Sequence, residues 1–274
     1  KPYFPPLLDC WDDRTIGYEI PFYSDRPDLA RLVLEKRLDP KALEEVQDEL
    51  ALAVLSGLHS SGEHDGNDFC IHLKSVIEES IEHLTQISEF RELIEEDSLV
   101  LNDEDIPGIR HSFELLGNSG AWERLAAQPS VLIHGDLILE NMLWSPLLLI
   151  DPVSVAGLTH GNPLFDLVKH ESYARGELYA IREELVRAER LEDRIYLLET
   201  PWTDEALEPF LEGDMTSRFR DHFVRHHGEI DLSLYNLIDG YFSLVMARNT
   251  TGLHQYARVL KGCQCLATAV NPQD

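Results

Sequence analysis

Four polar side chains lie at the ends of short apolar runs between residues 134 and 151. Val131-Leu132-Ile133 leads into His134-Gly135-Asp136, Asn141 precedes Met142-Leu143-Trp144, and Leu147-Leu148-Leu149-Ile150 ends at Asp151. Placing polar groups beside runs that read as buried strands is costly unless they are used. Two carboxylates and an amide at this spacing suit a hard, oxygen-preferring cation such as Mg²⁺. Mg²⁺ held by one or two carboxylates and phosphate oxygens is the usual arrangement for moving a phosphoryl group. Taken singly, each residue has a plainer explanation. Asp136 can be a turn residue or helix cap, Asn141 can cap a turn, and Asp151 before Pro152 can start one.

The elements around these residues follow from pattern. Residues 1–24 read as the end of a β-rich segment, with strands at Leu7–Trp11 and Thr15–Ile20 and a turn signal at Asp12-Asp13-Arg14. Asp25-Arg26-Pro27-Asp28 reads as a helix start. Asp39 and Pro40 open a helix over 40–59, in which Leu43, Val46, Leu50, Val54 and Leu58 recur at helical spacing. Further helices are expected over 70–97 and 109–127. The three short strands come next, and then helices over 164–190, 205–227, 231–248 and 252–268. Strands, helices, short polar-ended strands and helices again make an α+β order, not an alternating βαβ one.

Bulk properties exclude several classes. The 274 residues carry a net charge of −27, a field that repels nucleic acid. Spread along the chain, these acids serve solubility, although an acidic cleft would also attract a cationic ligand. No run approaches the 18 or so apolar residues of a membrane helix, and Lys1-Pro2-Tyr3-Phe4-Pro5-Pro6 lacks the apolar stretch of a signal peptide. The four cysteines include no CxxC pair and read as reduced thiols of a cytoplasmic protein.

His134-Gly135-Asp136-Leu137, with Asn141 five residues after Asp136 and Ile150-Asp151-Pro152 beyond, resembles the aminoglycoside phosphotransferase and choline kinase families. These are small-molecule relatives of the protein kinases. The resemblance implies a protein kinase-like α+β fold with a mainly helical C-terminal lobe and short catalytic β-hairpins. It implies that Asp136 is the catalytic base and that His134 orients the catalytic loop through hydrogen bonds. Asn141 and Asp151 would be Mg²⁺ ligands, with Asp151 bridging the nucleotide phosphates. Pro152-Val153 follows Asp151 where a protein kinase has Phe-Gly. Asp166, within Gly161-Asn162-Pro163-Leu164-Phe165-Asp166-Leu167, resembles the buried aspartate that braces the loop. Tyr18-Glu19-Ile20-Pro21-Phe22 resembles the hinge between kinase lobes, where main-chain groups at Glu19, Ile20 and Phe22 would meet the adenine edge.

On this resemblance, residues 1–20 are the end of an N-terminal β lobe plus the hinge, and residues 21–274 are the helical catalytic lobe. Most of the N-terminal lobe, with its Gly-rich loop and strand lysine, is missing from the sequence. Asn141 to Asp151 is short for a hairpin, so residues are expected to be absent there too. The implied activity moves the γ-phosphate of ATP or GTP to a hydroxyl of a small molecule: an aminoglycoside, a sugar or an amino alcohol. Glu171, Asp221, Glu229, Asp231 and Asp239 offer an acidic wall for a cationic acceptor, and Tyr173, Tyr241 and Trp202 offer faces to cover it. Two alternatives stand beside it. One is a catalytically weak pseudokinase-like binding module, suggested by the absent lysine and Gly-rich loop. The other is a metallohydrolase using His134, Asp136, Asp151 and His160, or a zinc pair at His222 and His226. Neither nucleic acid nor membrane is an expected partner, and the oligomeric state is not legible.

Overall fold

The computed structural model describes residues 3–12, 16–153 and 158–271. β1 (Asp9–Asp12) pairs antiparallel with β2 (Ile16–Glu19), so both early strands form. The expected turn at Asp13 and Arg14 lies outside the described residues. Asp28 caps α1 (Leu29–Leu34), accepting from Arg31 N at 2.8 Å. Asp39 caps α2 (Pro40–Ala51) through Ala42 N at 2.8 Å, with Pro40 in the first turn where no N–H is needed. The rod continues as a π-helical segment, Leu52–Leu58, and a 3-10 turn, His59–Ser61, which delivers His59 to the interior.

After β3 (Glu63–His64), α3 (Asn67–Thr85) buries Phe69, Leu73, Ile77, Ile81 and Leu84 along one face. The single helix expected over 70–97 stops at Thr85, and Ile87 packs against the core beyond its end. The chain turns, buries Phe90 and resumes as α4 (Arg91–Glu95). β4 (Ser98–Leu101) and β5 (Glu104–Pro107) form an unexpected hairpin. Asn102 and Asp103 take φ of 53° and 65° at its turn, as a two-residue hairpin loop requires. α5 (Ile109–Asn118) and α6 (Ala121–Ala127) replace the single helix expected over 109–127.

The three apolar runs become β6 (Ser130–Leu132), β7 (Met142–Leu143) and β8 (Leu148–Leu149). β6 lies between β3 and β9 (His160–Gly161). β7 pairs with β8, Met142 opposite Leu149, and the hairpin closes over residues 144–147 without further residues. α7 (Leu164–Ala174) and α8 (Glu177–Arg182) follow, but the helix expected to run to 190 gives way to β10 (Arg187–Glu192) and β11 (Ile195–Glu199). The charged residues of β10 favour helix in isolation. Burial of Tyr196, where β11 runs parallel to β4, overrides that preference and builds the sheet β10-β11-β4-β5. α9 (Glu208–Glu212) and α10 (Ser217–His227) are separated at Asp214, whose Oδ1 accepts from Thr216 N and Ser217 N at 2.9 Å. α11 (Leu232–Ala247) and α12 (Gly252–Val270) complete the chain. They pack closely at Gly240 and Gly262, where a Cβ would stand 2.8 Å from Leu266 and 2.7 Å from Leu244. No helix among the described residues is long and apolar enough to cross a membrane. Cys10 is an exposed thiol, and Cys70, Cys263 and Cys265 are buried ones.

Phe165 on α7 anchors the core, 5.6 Å from Phe69 and 4.5 Å from Phe242 between ring centroids. Beside it, a histidine chain links three elements. His59 Nε2 lies 3.2 Å from Asp166 Oδ2, and His59 Nδ1 lies 2.9 Å from His227 Nε2 on α10. Burial, followed by the neighbouring His59 and His226, pulls the His227 imidazole down to about 3. The unfolded chain therefore binds a proton that the folded chain refuses, so stability falls with pH from about 6.5 towards about 3. His227→Gln keeps a hydrogen-bonding group that does not titrate. Chemical denaturation across that range is expected to show a shallower decline for this variant than for the wild type.

Candidate active site

β6 ends in a loop held by its own main chain. His134 N donates to Asp166 Oδ2 and Gly135 N to Asp166 Oδ1, each at 2.9 Å, and His134 O accepts from Val153 N at 2.9 Å. Gly135 has φ +80°, and a Cβ there would lie 2.0 Å from Val153 O, so only glycine fits. Asp166 is fully buried. Burial pushes its carboxyl up, but the His59 hydrogen bond and the His134 amide outweigh this and hold it below the usual aspartate value.

The side chain of His134 lies in the core. Its ring is fully buried, stacks on Phe4 with centroids 6.5 Å apart, and has the Ile150 main chain beside it. Burial lowers its pKa against the pull of Asp166 and Asp136. It is the main-chain groups of His134 that tie the loop down.

Asp136 follows on the open side, its side chain 28% exposed. Asn141 Nδ2 donates to Asp136 Oδ2 and to the Asp136 carbonyl, both at 2.9 Å. That network orients the amide and leaves Asn141 Oδ1 as its oxygen face. Ile150 N donates to Asn141 O at 3.0 Å, so the β7–β8 hairpin sets Asp151 directly after a residue bonded to Asn141. Asp151 is exposed and takes φ 53°, a left-handed conformation. The donor set is hard oxygen at the two ends of the β7–β8 hairpin, Asn141 just before β7 and Asp151 two residues after β8. It fits Mg²⁺ whose remaining ligands are water and phosphate, with Asn141 and Asp151 the residues that would hold the ion.

Glu19 O accepts from Leu8 N at 2.8 Å, Ile20 is half-buried, and Phe22 is 92% exposed. The segment before them reaches the site: Tyr3 O accepts from Leu149 N at 2.7 Å, next to the Phe4–His134 stack.

Lys169 was missed in the sequence, and it pairs with Asp136 of the loop. From α7 its Nζ lies 3.1 Å from Asp136 Oδ1. The available signal was a lysine directly after Leu164–Val168, three residues past Asp166 on the same helix. The acidic wall, in contrast, does not form as expected. Glu171 is buried and bound by Arg220, by Arg175 and by the Tyr235 hydroxyl at 2.6–2.9 Å. Asp239 is buried, accepting from Ser172 Oγ at 2.9 Å and Cys265 Sγ at 3.4 Å. Asp231 caps α11 and pairs with Arg124. Tyr173 and Tyr241 are core residues, while Trp202 is 38% exposed. The alternative metal sets also do not assemble. His160 lies against His64 and Thr159, His222 bonds Asp48 at 2.7 Å, and His226 approaches Ser60. Among the described residues, no group of three or more His, Cys, Asp and Glu side chains is placed to hold a metal ion.

Comparison with known proteins bears on this geometry. No curated protein matches the sequence. Two solved structures of glucosamine kinase share the fold. One is a crystal form with TM-score 0.52 and 12% identity. The other, in complex with glucosamine, ADP and inorganic phosphate, has TM-score 0.51 and 11% identity. The matches cover 94% of this chain but 64% and 63% of those chains, so this chain spans less than two thirds of their length. The fold is thus α+β and kinase-like. The sequence model of the phosphotransferase enzyme family matches residues 25–198, a span that holds the loop, the β7–β8 hairpin and α7. With well over half of its residues inside that match, the chain belongs to the phosphotransferase enzyme family.

Proposed function

We propose that this chain is the catalytic lobe of a kinase that moves the γ-phosphate of ATP or GTP to a hydroxyl of a small molecule. The observation that carries the reading is the Asp136 carboxylate. It is partly open to solvent, fixed by Asn141 and backed by Lys169. Asp136 accepts or orients the proton of the acceptor hydroxyl, holding its oxygen in line with the phosphorus. Asn141 serves twice, its amide nitrogen fixing Asp136 and its oxygen facing the nucleotide side. Mg²⁺ on Asn141 and Asp151 would supply the charge neutralisation that phosphoryl transfer needs. His134 and Gly135, fixed on Asp166, keep Asp136 at the end of β6. In the proposed division, residues 1–20 belong to the β lobe and hinge and residues 21–274 to the catalytic lobe, with main-chain groups at Glu19, Ile20 and Phe22 meeting the nucleotide base. A sugar is the favoured acceptor, in keeping with the glucosamine kinase likeness and with the burial of Glu171 and Asp239, which removes much of the case for a polycation.

Two measurements test this. ADP release from MgATP is followed over a panel of amino sugars, neutral sugars, aminoglycosides and amino alcohols. Asp136→Asn is expected to lower kcat by roughly 100-fold or more on whichever acceptor is used, with KM for MgATP changed by less than about twofold. A variant that keeps the wild-type rate removes Asp136 from the chemistry. Gly135→Ala drives a Cβ into Val153 O and is expected to destabilise the chain by more than about 2 kcal/mol in denaturant unfolding. A Gly135→Ala protein as stable and active as wild type would contradict the rigid-loop account.

A further inference from the structure

Lys169 lies on α7, every residue of which from Leu164 to Ala174 is buried. It is itself 8% exposed. An ammonium taken out of water needs strong partners. Asp136 Oδ1, at 3.1 Å, is its only carboxylate partner among the described residues. The rest of its surroundings is aromatic, with Nζ 5.2 Å from the Tyr173 ring centroid and 4.7 Å from that of Phe242. Other lysines here pair with glutamates away from the loop: Lys36 with Glu208 and Glu212, Lys41 with Glu45, and Lys261 with Glu177. Fifty acidic residues offered many other pairings.

The carboxylate of Asp136 is thus gripped at both oxygens, Oδ1 by Lys169 and Oδ2 by Asn141. A carboxylate held at one oxygen swings about its Cβ–Cγ bond, whereas one held at both does not. Asp166 and Lys169 stand one helical turn apart on α7, so the same helix fixes the loop backbone and the loop's acid.

We propose that Lys169 is a positioning residue that acts through Asp136, locking its carboxylate in the orientation that receives the acceptor hydroxyl. This rests on the phosphotransfer reading above. It differs from a plain stabilising ion pair in one respect: removing Lys169 harms turnover only while Asp136 is there to be misplaced.

A double-mutant cycle reads that difference. ADP release from MgATP is measured with water alone and with glucosamine for wild type, K169M, K169R, D136N and D136N/K169M, each checked by thermal melting. Methionine refills the aromatic slot without the charge. K169Q replaces it in the same cycle where the methionine variant does not fold. K169M is expected to lower kcat about 100-fold, the scale of a misplaced catalytic group, with KM for MgATP within about twofold of wild type. K169R restores at least about tenfold of that loss, since arginine keeps the charge and its hydrogen bond. D136N/K169M is no slower than D136N. The positioning role is overturned by a K169M chain with wild-type kcat. It is equally overturned by a double variant that loses the full K169M factor beyond D136N, the additive pattern of a structural ion pair. A wild-type chain that releases no ADP under either condition overturns the phosphotransfer reading, and the role of Lys169 falls with it.

Discussion

A carboxylate buried in the core, that of Asp166, is what the loop bearing Asp136 hangs on. An isolated ionised carboxylate inside a protein is unfavourable by several kcal/mol, so it persists only where donors converge on it. Here the donors are the amides of His134 and Gly135 and the His59 imidazole. The dependence runs both ways. Those two amides leave β6 where no strand pairs with them, and each would be an unsatisfied buried donor worth about 1–3 kcal/mol without Asp166. Neither side is stable without the other. The loop is therefore as rigid as α7, and α7 is set by Phe165 packing between Phe69 and Phe242. The π-helical segment after α2 leads into the turn that places His59 on Asp166, 107 residues further along the chain.

Charge is distributed unevenly around this scaffold. The chain as a whole carries −27, and Asp136 and Asp151 add two carboxylates close to where a polyphosphate would sit on the proposed reading. Cations placed at the loop counter that field locally. Lys169 pairs with Asp136, and Arg182 pairs with Glu140, the residue just before Asn141. Both are partly or wholly withdrawn from solvent, where a pair is screened less than on the surface. A global negative charge and a locally balanced loop are compatible because screening erases the distant acids within roughly 10 Å at physiological salt.

The chemistry-bearing segment was readable because its signals are local. Short apolar runs ending in His134, Asp136, Asn141 and Asp151 state both the strands and what they carry. The caps at Asp28 and Asp39 were equally plain. What stayed hidden is non-local. Most of β10 read as helix because Arg187–Glu192 is rich in helix-compatible residues, and β11 fell outside every expected element. Only the pairing of β11 with β4, almost a hundred residues earlier, makes that segment a strand. Glu171 read as a surface acid because its partners Arg220 and Tyr235 lie 49 and 64 residues away. Two signals were local and passed over: Asn102-Asp103 as a hairpin turn, and Lys169 as a lysine three residues after Asp166 on the same helix.

The buried pairs also narrow what an acceptor can be. Glu171 with Arg220, Arg175 and Tyr235 ties α7 to α10 and α11. Asp239 with Ser172, Cys265 and Lys261, and Lys261 with Glu177, tie α7, α8, α11 and α12 together. These acids hold helices in register and have no charge left to offer a ligand. The aromatic faces of Tyr173 and Phe242, which a substrate ammonium would seek, are already covered by the ammonium of Lys169. A cationic group arriving beside Asp136 would meet that lysine and be repelled, since like charges at close range disfavour binding. On the proposed reading, the reacting end of the acceptor is therefore a neutral hydroxyl, and any ammonium it carries has to sit away from Asp136.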